Sequence, residues 1–226
     1  RGLGDVYKRQ TGPLHRMQKQ NNSLDDRPVV IKNYITGNFV VRFLLNRLLR
    51  KISKTLIKLD GFRRIGLDVG CGSGNMISYL HNRNAIGRLV AVDLDKDRLT
   101  FAKRQFPVCH YLNMDVNALA FKQGAFEYIL AAEILEHLPD PDQVIKEMRR
   151  AAKNDAYLIL SVPHEPFFCW GNLLRGKYWS RGGRTPTHVI FWTLSEFKHF
   201  LRRFFDIEAE YAWSVFPWML FLVRFK

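Results

Sequence analysis

Three groups of residues in this 226-residue chain have types and spacings suited to chemistry. The first is the stretch "LDVGCGSG", in which Asp68 is followed by Gly70, Gly72 and Gly74 at alternate positions. Glycine removes the Cβ atoms that would hold a ligand off the main chain, so such a turn lays backbone open to a small molecule. A dinucleotide site wants G-x-G-x-x-G, with pyrophosphate at a helix N-terminus. Here the third glycine comes one residue early, and Asp68 would meet a phosphate with like charge. A carboxylate suits a cation. S-adenosylmethionine carries an ammonium and a sulfonium and no phosphate, so spacing and acid both favour it.

The second group is a pair of further aspartates. Asp93 in "AVDLD" lies where a carboxylate accepts from both ribose hydroxyls of an adenosine ligand. Asp115 in "NMDVNALAF" lies where it can accept from the adenine amino group. The third group is "EILEHL". If this stretch is helical, Glu133, Glu136 and His137 share one face. Two carboxylates and an imidazole so placed hold a divalent cation, and oxygen-rich ligation suits Mg²⁺ or Mn²⁺. A cation lowers the pKa of a bound hydroxyl and fixes its direction. Without a metal, His137, His164 or His188 would serve as general base, since imidazole works near neutral pH.

These groups need a frame that brings them together. Ile65–Val69, Leu89–Leu94, Val108–Met114, Phe126–Ala132 and Tyr157–Val162 read as apolar strands. Between them come helical patterns from Asn75, over Lys96–Gln105 and over Asp142–Lys153. That alternation predicts a parallel sheet with helices on both faces, and it sets each aspartate at the carboxyl end of a successive strand. After a helix over Ser195–Phe204 with Ser195 as N-cap, two strands follow directly, Ile207–Trp213 and Trp218–Phe225. With no helix between them they form a hairpin, so one runs antiparallel to the rest. The stretch Pro163–Thr187 fits no regular element and is long for a connector, as lids and binding segments often are.

A hydrophobic share of 47% fills the core of one α/β domain, expected over 28–226 behind a polar, disordered arm at 1–27. Residues 1–10 lack periodicity, resemble a translated sequencing-adapter remnant, and are set aside from the fold. The net charge of +14 suits a partner rich in negative charge: anionic lipid, nucleic acid or an acidic small molecule. A basic but functionally silent surface is the plainer alternative. Phe39–Leu59 is an amphipathic helix with Arg42, Arg47, Arg50, Lys51, Lys54 and Lys58 opposite its apolar stripe. Such a helix packs on its own domain or lies on an anionic membrane. Cys71, Cys109 and Cys169 have no C-x-x-C spacing, which fits a reducing cytoplasm and neither a disulfide framework nor a zinc knuckle. No secretory signal is visible, and Phe216–Val223 falls short of the ~20 apolar residues that span a bilayer.

From Ile65 onward the chain resembles the class I S-adenosylmethionine-dependent methyltransferases. The motifs "LDVGCGSG", "VDLD", "MDVNALAF" and "EILEHLPDPDQVIKEMRR" are similar to their type-11/type-23 branch. The resemblance implies a Rossmann-like three-layer α/β sandwich, with a seven-stranded, mostly parallel sheet whose last strand is antiparallel. It implies that Gly70, Gly72 and Gly74 line the methionine part of the cofactor and that Asp93 binds ribose. Asp115 lies at the adenine, with Leu94, Val116 and Glu133 also in the cofactor pocket. The E-x-x-E-H pattern resembles the metal element of O-methyltransferases of ubiquinone biosynthesis and of enzymes that methylate the 2′-hydroxyl at small-RNA 3′ ends. In the RNA family another histidine completes the metal site, which implies a set of Glu133, Glu136, His137 and His188.

The segment 163–194 is expected to cover the acceptor. Phe167, Phe168, Trp170, Leu173 and Leu174 alternate there with Arg175, Lys177, Arg181 and Arg184. Stacking and phosphate contacts would suit RNA, whereas an apolar slot with a basic rim suits a small or lipid-like acceptor presented at a membrane. The absence of a recognisable RNA-binding module and the basic helix at Phe39–Leu59 favour the lipid-like acceptor. The expectation is a cytoplasmic O-methyltransferase with peripheral contact to anionic membrane. RNA 2′-O-methylation and non-catalytic cofactor binding at a membrane are the alternatives.

Overall fold

The computed structural model describes residues 39–226, and the arm expected over 1–27 lies outside them. Seven strands form one sheet: β1 (Ile65–Val69), β2 (Arg88–Asp93), β3 (His110–Asn113), β4 (Phe126–Ala132), β5 (Ala152–Pro163), β6 (Phe205–Glu210) and β7 (Trp218–Phe225). Their spatial order is β3-β2-β1-β4-β5-β7-β6. β1 to β5 pair in parallel, while β7 runs antiparallel to both β5 and β6. The hairpin read from the sequence is therefore present, with β7 as its reversed strand.

The described helices are α1 (Phe39–Lys58), α2 (Asn75–His81), α3 (Lys96–Gln105), α4 (Pro141–Ala151), α5 (Glu165–Leu174) and α6 (Leu194–Arg202). Successive strand residues point to opposite faces, and each face has its own apolar layer. Val69, Val92, Ile129 and Leu160 meet Val144 and Met148 of α4 and Phe197 and Leu201 of α6. On the other face Ala91, Tyr128, Leu130 and Ile159 meet Ile52 and Leu56 of α1 and Ile77 and Leu80 of α2. Ile52 and Leu56 are fully buried, each contributing about 1.5–3 kcal/mol of transfer free energy. The apolar stripe of α1 is thus a packing surface along its C-terminal half. Its first turns leave Phe39, Val40 and Phe43 exposed.

Several boundaries differ from the sequence reading. "EILEHL" is not one helix: only Leu135–His137 make a single 3₁₀ turn, and Glu133 has a left-handed backbone with φ 58°. The prolines end the turn, because residues before Pro139 and Pro141 are driven away from helical ψ; Leu138 has ψ 131° and Asp140 ψ 80°. The stretch 163–187 is not irregular throughout, since it contains α5 and a 3₁₀ turn at Trp179–Arg181. The N-cap of α6 is Thr193 rather than Ser195. The Thr193 hydroxyl accepts from the Glu196 N–H while the Glu196 carboxylate accepts from the Thr193 N–H, a reciprocal capping box.

Candidate functional site

The carboxyl ends of β1, β2, β4 and β5 lie side by side, and the chemistry-bearing residues follow them. After β1 the chain turns through Gly70, Gly72 and Gly74 at φ 75°, 54° and 76°, and the N–H groups of Gly70 and Cys71 donate to the carbonyl of Val92. A Cβ on Gly72 would find nothing within 4 Å, so the main chain there borders open space. A Cβ on Gly70 would lie 2.8 Å from Ile134, which locks the turn against the segment after β4. At Gly74 a Cβ would meet Ala102 of α3 and the Tyr111 hydroxyl, so that glycine admits the neighbouring helix.

Asp68 lies beneath this turn. It is 1% exposed, and neither carboxyl oxygen has a hydrogen-bond partner among the described residues. Burial, reinforced by the nearby Asp93 carboxylate, pushes its pKa up to about 7. Asp93 holds the turn itself: Oδ2 accepts from Gly72 N–H at 2.7 Å and Oδ1 from Asp95 N–H at 2.9 Å. A carboxylate offers about four lone-pair sites, so acceptor capacity remains for ribose hydroxyls. Leu94 is 68% exposed beside it, an apolar surface of the kind a flat base covers. Asp115 is exposed, with Oδ1 accepting from the backbone and side-chain N–H groups of Asn117, while Val116 packs into the core at 7% exposure.

The segment after β4 divides the expected metal set. Glu133 turns toward the sheet, where its carboxylate accepts from Trp218 Nε1–H at 2.7 Å and Ser161 Oγ–H at 3.1 Å. Burial pushes its pKa up to about 8 against those two hydrogen bonds. Glu136, His137 and His188 come together instead, one donor atom of each lying within 4.8 Å of the others. Glu136 is fully buried and both its oxygens lack a hydrogen-bond partner among the described residues, His137 Nε2 lying 3.9 Å from Oε1. Burial, then the neighbouring Glu133 charge, raises its pKa well above the ordinary carboxylate value.

Both imidazoles have one nitrogen committed. His137 Nδ1 donates to the Thr187 carbonyl at 2.9 Å, and His188 Nδ1 donates to the Glu165 carboxylate. Nε2 is then the free donor atom of each ring, the arrangement found in metal-ligating histidines. Burial lowers the pKa of His137, which keeps it neutral and able to ligate. His164 stays apart from this cluster. It precedes α5 and packs its ring against Phe167 at 4.8 Å, and burial lowers its pKa too.

Glu165, Ser161, Thr187 and Trp218 did not stand out in the sequence. Ser161 and Trp218 lie inside apolar strands, and Thr187 acts through a main-chain carbonyl that any residue supplies. Glu165 left one signal: it is the sole Asp or Glu in 163–194.

Residues 67–160 match the family described as a methyltransferase domain. The ubiquinone biosynthesis O-methyltransferase of Histophilus somni (strain 2336) is 32% identical over 118 residues, 49% of this chain and 49% of that protein. The chain thus spans about half the length of the curated relatives it matches. The crystal structure of PH0226 protein from Pyrococcus horikoshii OT3 superposes with a TM-score of 0.68 and 20% identity, over 88% of this chain and 97% of the other. The [4+2]-cyclase SpnF gives 0.61 at 17% identity, over 79% and 80%. A cyclase on this frame means that the fold by itself does not fix the reaction. The family match runs from β1 into β5, and β6 and β7 complete the sheet with its reversed strand; residues 67–160 are thus identified as a methyltransferase domain.

Proposed function

We propose that this protein is an S-adenosylmethionine-dependent O-methyltransferase acting on a small or lipid-like acceptor, with a divalent cation held by Glu136, His137 and His188. The observation that carries this reading is the buried, unpartnered Glu136 carboxylate facing two imidazoles whose Nδ1 atoms are already committed. A fully buried carboxylate without partners is costly, and a cation would satisfy it. Relatives named O-methyltransferases support oxygen as the attacking atom.

The residues also fit the methyl donor. Gly72 leaves open space over the turn, Asp93 keeps acceptor capacity, and the orphaned Asp68 favours positive charge above it. Gly70 to Gly74 would hold the methionine end, Asp93 the ribose hydroxyls, and Leu94, Asp115 and Val116 the adenine side. When bound, S-adenosylmethionine supplies an electrophilic methyl group. The chain's task is then to orient the acceptor oxygen in line and to exclude water. Ile134, two residues before Glu136, packs against the glycine turn at Gly70 and so links the two sites through one short segment.

A bound cation supplies Lewis acidity that lowers the pKa of an acceptor hydroxyl. With Glu133 hydrogen-bonded elsewhere, the donor set is two nitrogens and one carboxylate, less oxygen-rich than the sequence suggested. Imidazole ligands favour Mn²⁺ over Mg²⁺. Neutral His137 remains the residue placed to take a proton if no cation binds. The test is label transfer from methyl-labelled cofactor in a host extract, with and without chelator. The reading predicts label in the organic phase, a chelator-induced loss restored by Mn²⁺, and at least 10-fold loss in Glu136→Gln. Label in nuclease-sensitive material would point to RNA instead, and chelator-insensitive transfer would remove the cation.

We further propose that the acceptor reaches the site from an anionic membrane. α1 carries six cations and no acid, and the only acid in 163–194 is the buried Glu165. Trp170 within the second segment is 67% exposed and Trp213 is 68% exposed. The patch is continuous. Arg47 donates to the Ser214 carbonyl at 2.9 Å, the Trp213 ring lies 6.5 Å from His164, and His164 packs on Phe167, itself 6.3 Å from Trp170. Exposed tryptophan among arginine and lysine is the composition of a membrane interface. No described helix is long and apolar enough to cross a membrane.

A further inference from the structure

We infer that Glu165 is a positioning residue for the cation site: it fixes His188 in the tautomer that ligates and ties α5 to that site. This rests on the cation reading above, but it concerns a residue outside the expected ligand set.

Glu165 lies in the first turn of α5, where the helix dipole stabilises a carboxylate. It is 2% exposed, although every other charged residue in 163–194 is a cation. A buried acid among exposed cations is not there for solubility. One carboxylate oxygen takes the His188 Nδ1 proton donor, and the other accepts from Cys169 Sγ at 3.5 Å, one helical turn along. Both oxygens are therefore held, and the carboxylate cannot swing away from the ring.

The backbone adds a second clamp. Glu165 N–H donates to the Trp192 carbonyl at 3.1 Å, so α5 grips the far end of the segment that bears His188. From the other side, the N–H groups of Val189 and Ile190 donate to the Glu136 carbonyl at 2.8 and 3.1 Å. The segment 188–192 is thus pinned between a ligand residue and Glu165. The ring cannot leave the cluster without breaking one of these contacts.

An acceptor at Nδ1 leaves the Nε2 lone pair free for a cation. Carboxylate partners of this kind orient ligating histidines, and their loss lowers metal affinity by about 10- to 100-fold. The arrangement also explains why α5 buries Glu165 and Asn172 while exposing Trp170 and Leu174. Glu165 is held by His188 and Asn172 by the Gly183 carbonyl at 2.9 Å, so the polar edge turns inward and the apolar edge is left for the acceptor side.

The test needs no turnover. Long-range nitrogen–proton NMR on the metal-free protein at mildly alkaline pH reports which nitrogen of His188 carries the proton. The wild type should show Nδ1–H; a proton on Nε2 would overturn the proposal without any variant. Mn²⁺ titration should then show Glu165→Ala weakened about 10- to 100-fold, with metal-free melting temperature as the folding control. Glu165→Gln keeps an acceptor oxygen and should retain more of the affinity. Equal Mn²⁺ affinity in Glu165→Gln and wild type with a mixed His188 tautomer would also overturn it. If the wild type shows Nδ1–H but binds no Mn²⁺, the cation reading fails while the tautomer assignment stands.

Discussion

Asp68 is the residue whose chemistry is easiest to isolate. Its folded pKa is raised from 3.8 to about 7 by burial and by Asp93, so the folded state binds the proton more tightly than the unfolded chain. The stability associated with Asp68 is therefore fully present below pH 3.8 and is lost as pH rises through about 7. The shift corresponds to about 4 kcal/mol, to order of magnitude. Asp68→Asn removes the charge and keeps the shape. The variant should be more stable than wild type in urea unfolding above neutral pH, by an amount that shrinks as pH falls toward 4. It should also bind adenosylhomocysteine more weakly, because the negative field beneath the turn is gone. A stability difference independent of pH would show that Asp68 is not charged in the way described.

The residue scale also shows what one sequence hides. Asp68, Asp93 and Asp115 were legible in position because each stands at the carboxyl end of an apolar strand or just after it, and local pattern placed them. Glu133 and Glu136 look equivalent in "EILEHL", yet one bonds to Trp218 and Ser161 and the other faces His188. That division depends on partners 25 or more residues away, which no local spacing records.

At the scale of elements, the strands of the sheet were readable to within a few residues from alternation alone. α5 was not, because its pattern is inverted: it buries Glu165 and Asn172 and exposes Trp170 and Leu174. An apolar-periodicity search looks for the opposite. Pro166 near its start was the surviving helix signal. The capping box of α6 was also visible as Thr193-x-x-Glu196, two residues before Ser195.

The glycine turn yields a paired prediction at this scale. Gly70→Ala forces a left-handed alanine, costing about 1–2 kcal/mol, and drives a methyl into Ile134. It should lower the melting temperature and, through Ile134, weaken Mn²⁺ binding. Gly72→Ala carries a similar backbone cost but meets no protein atom. Its methyl enters the space assigned to the cofactor, so cofactor affinity should fall with Mn²⁺ binding unchanged. Equal effects of the two variants on both ligands would contradict the assignment of their separate roles.

For the whole molecule, the net charge of +14 is unevenly placed, since α1 and 163–194 display cations with no exposed acid. Vesicle co-sedimentation should show binding to anionic but not zwitterionic bilayers, weakened by salt and by the double variant Trp170→Ser/Trp213→Ser. Salt-sensitive binding that ignores both tryptophans would reduce the face to a general basic surface. The reading as a whole depends on the turn at Gly70–Gly74 receiving a cationic sulfur cofactor rather than a dinucleotide. Titration calorimetry of the purified protein with S-adenosylmethionine, adenosylhomocysteine and NADH tests this directly. The account predicts one-site heats with the first two, abolished in Asp93→Ala, and none with NADH; heat with NADH and silence with both sulfur compounds would contradict it.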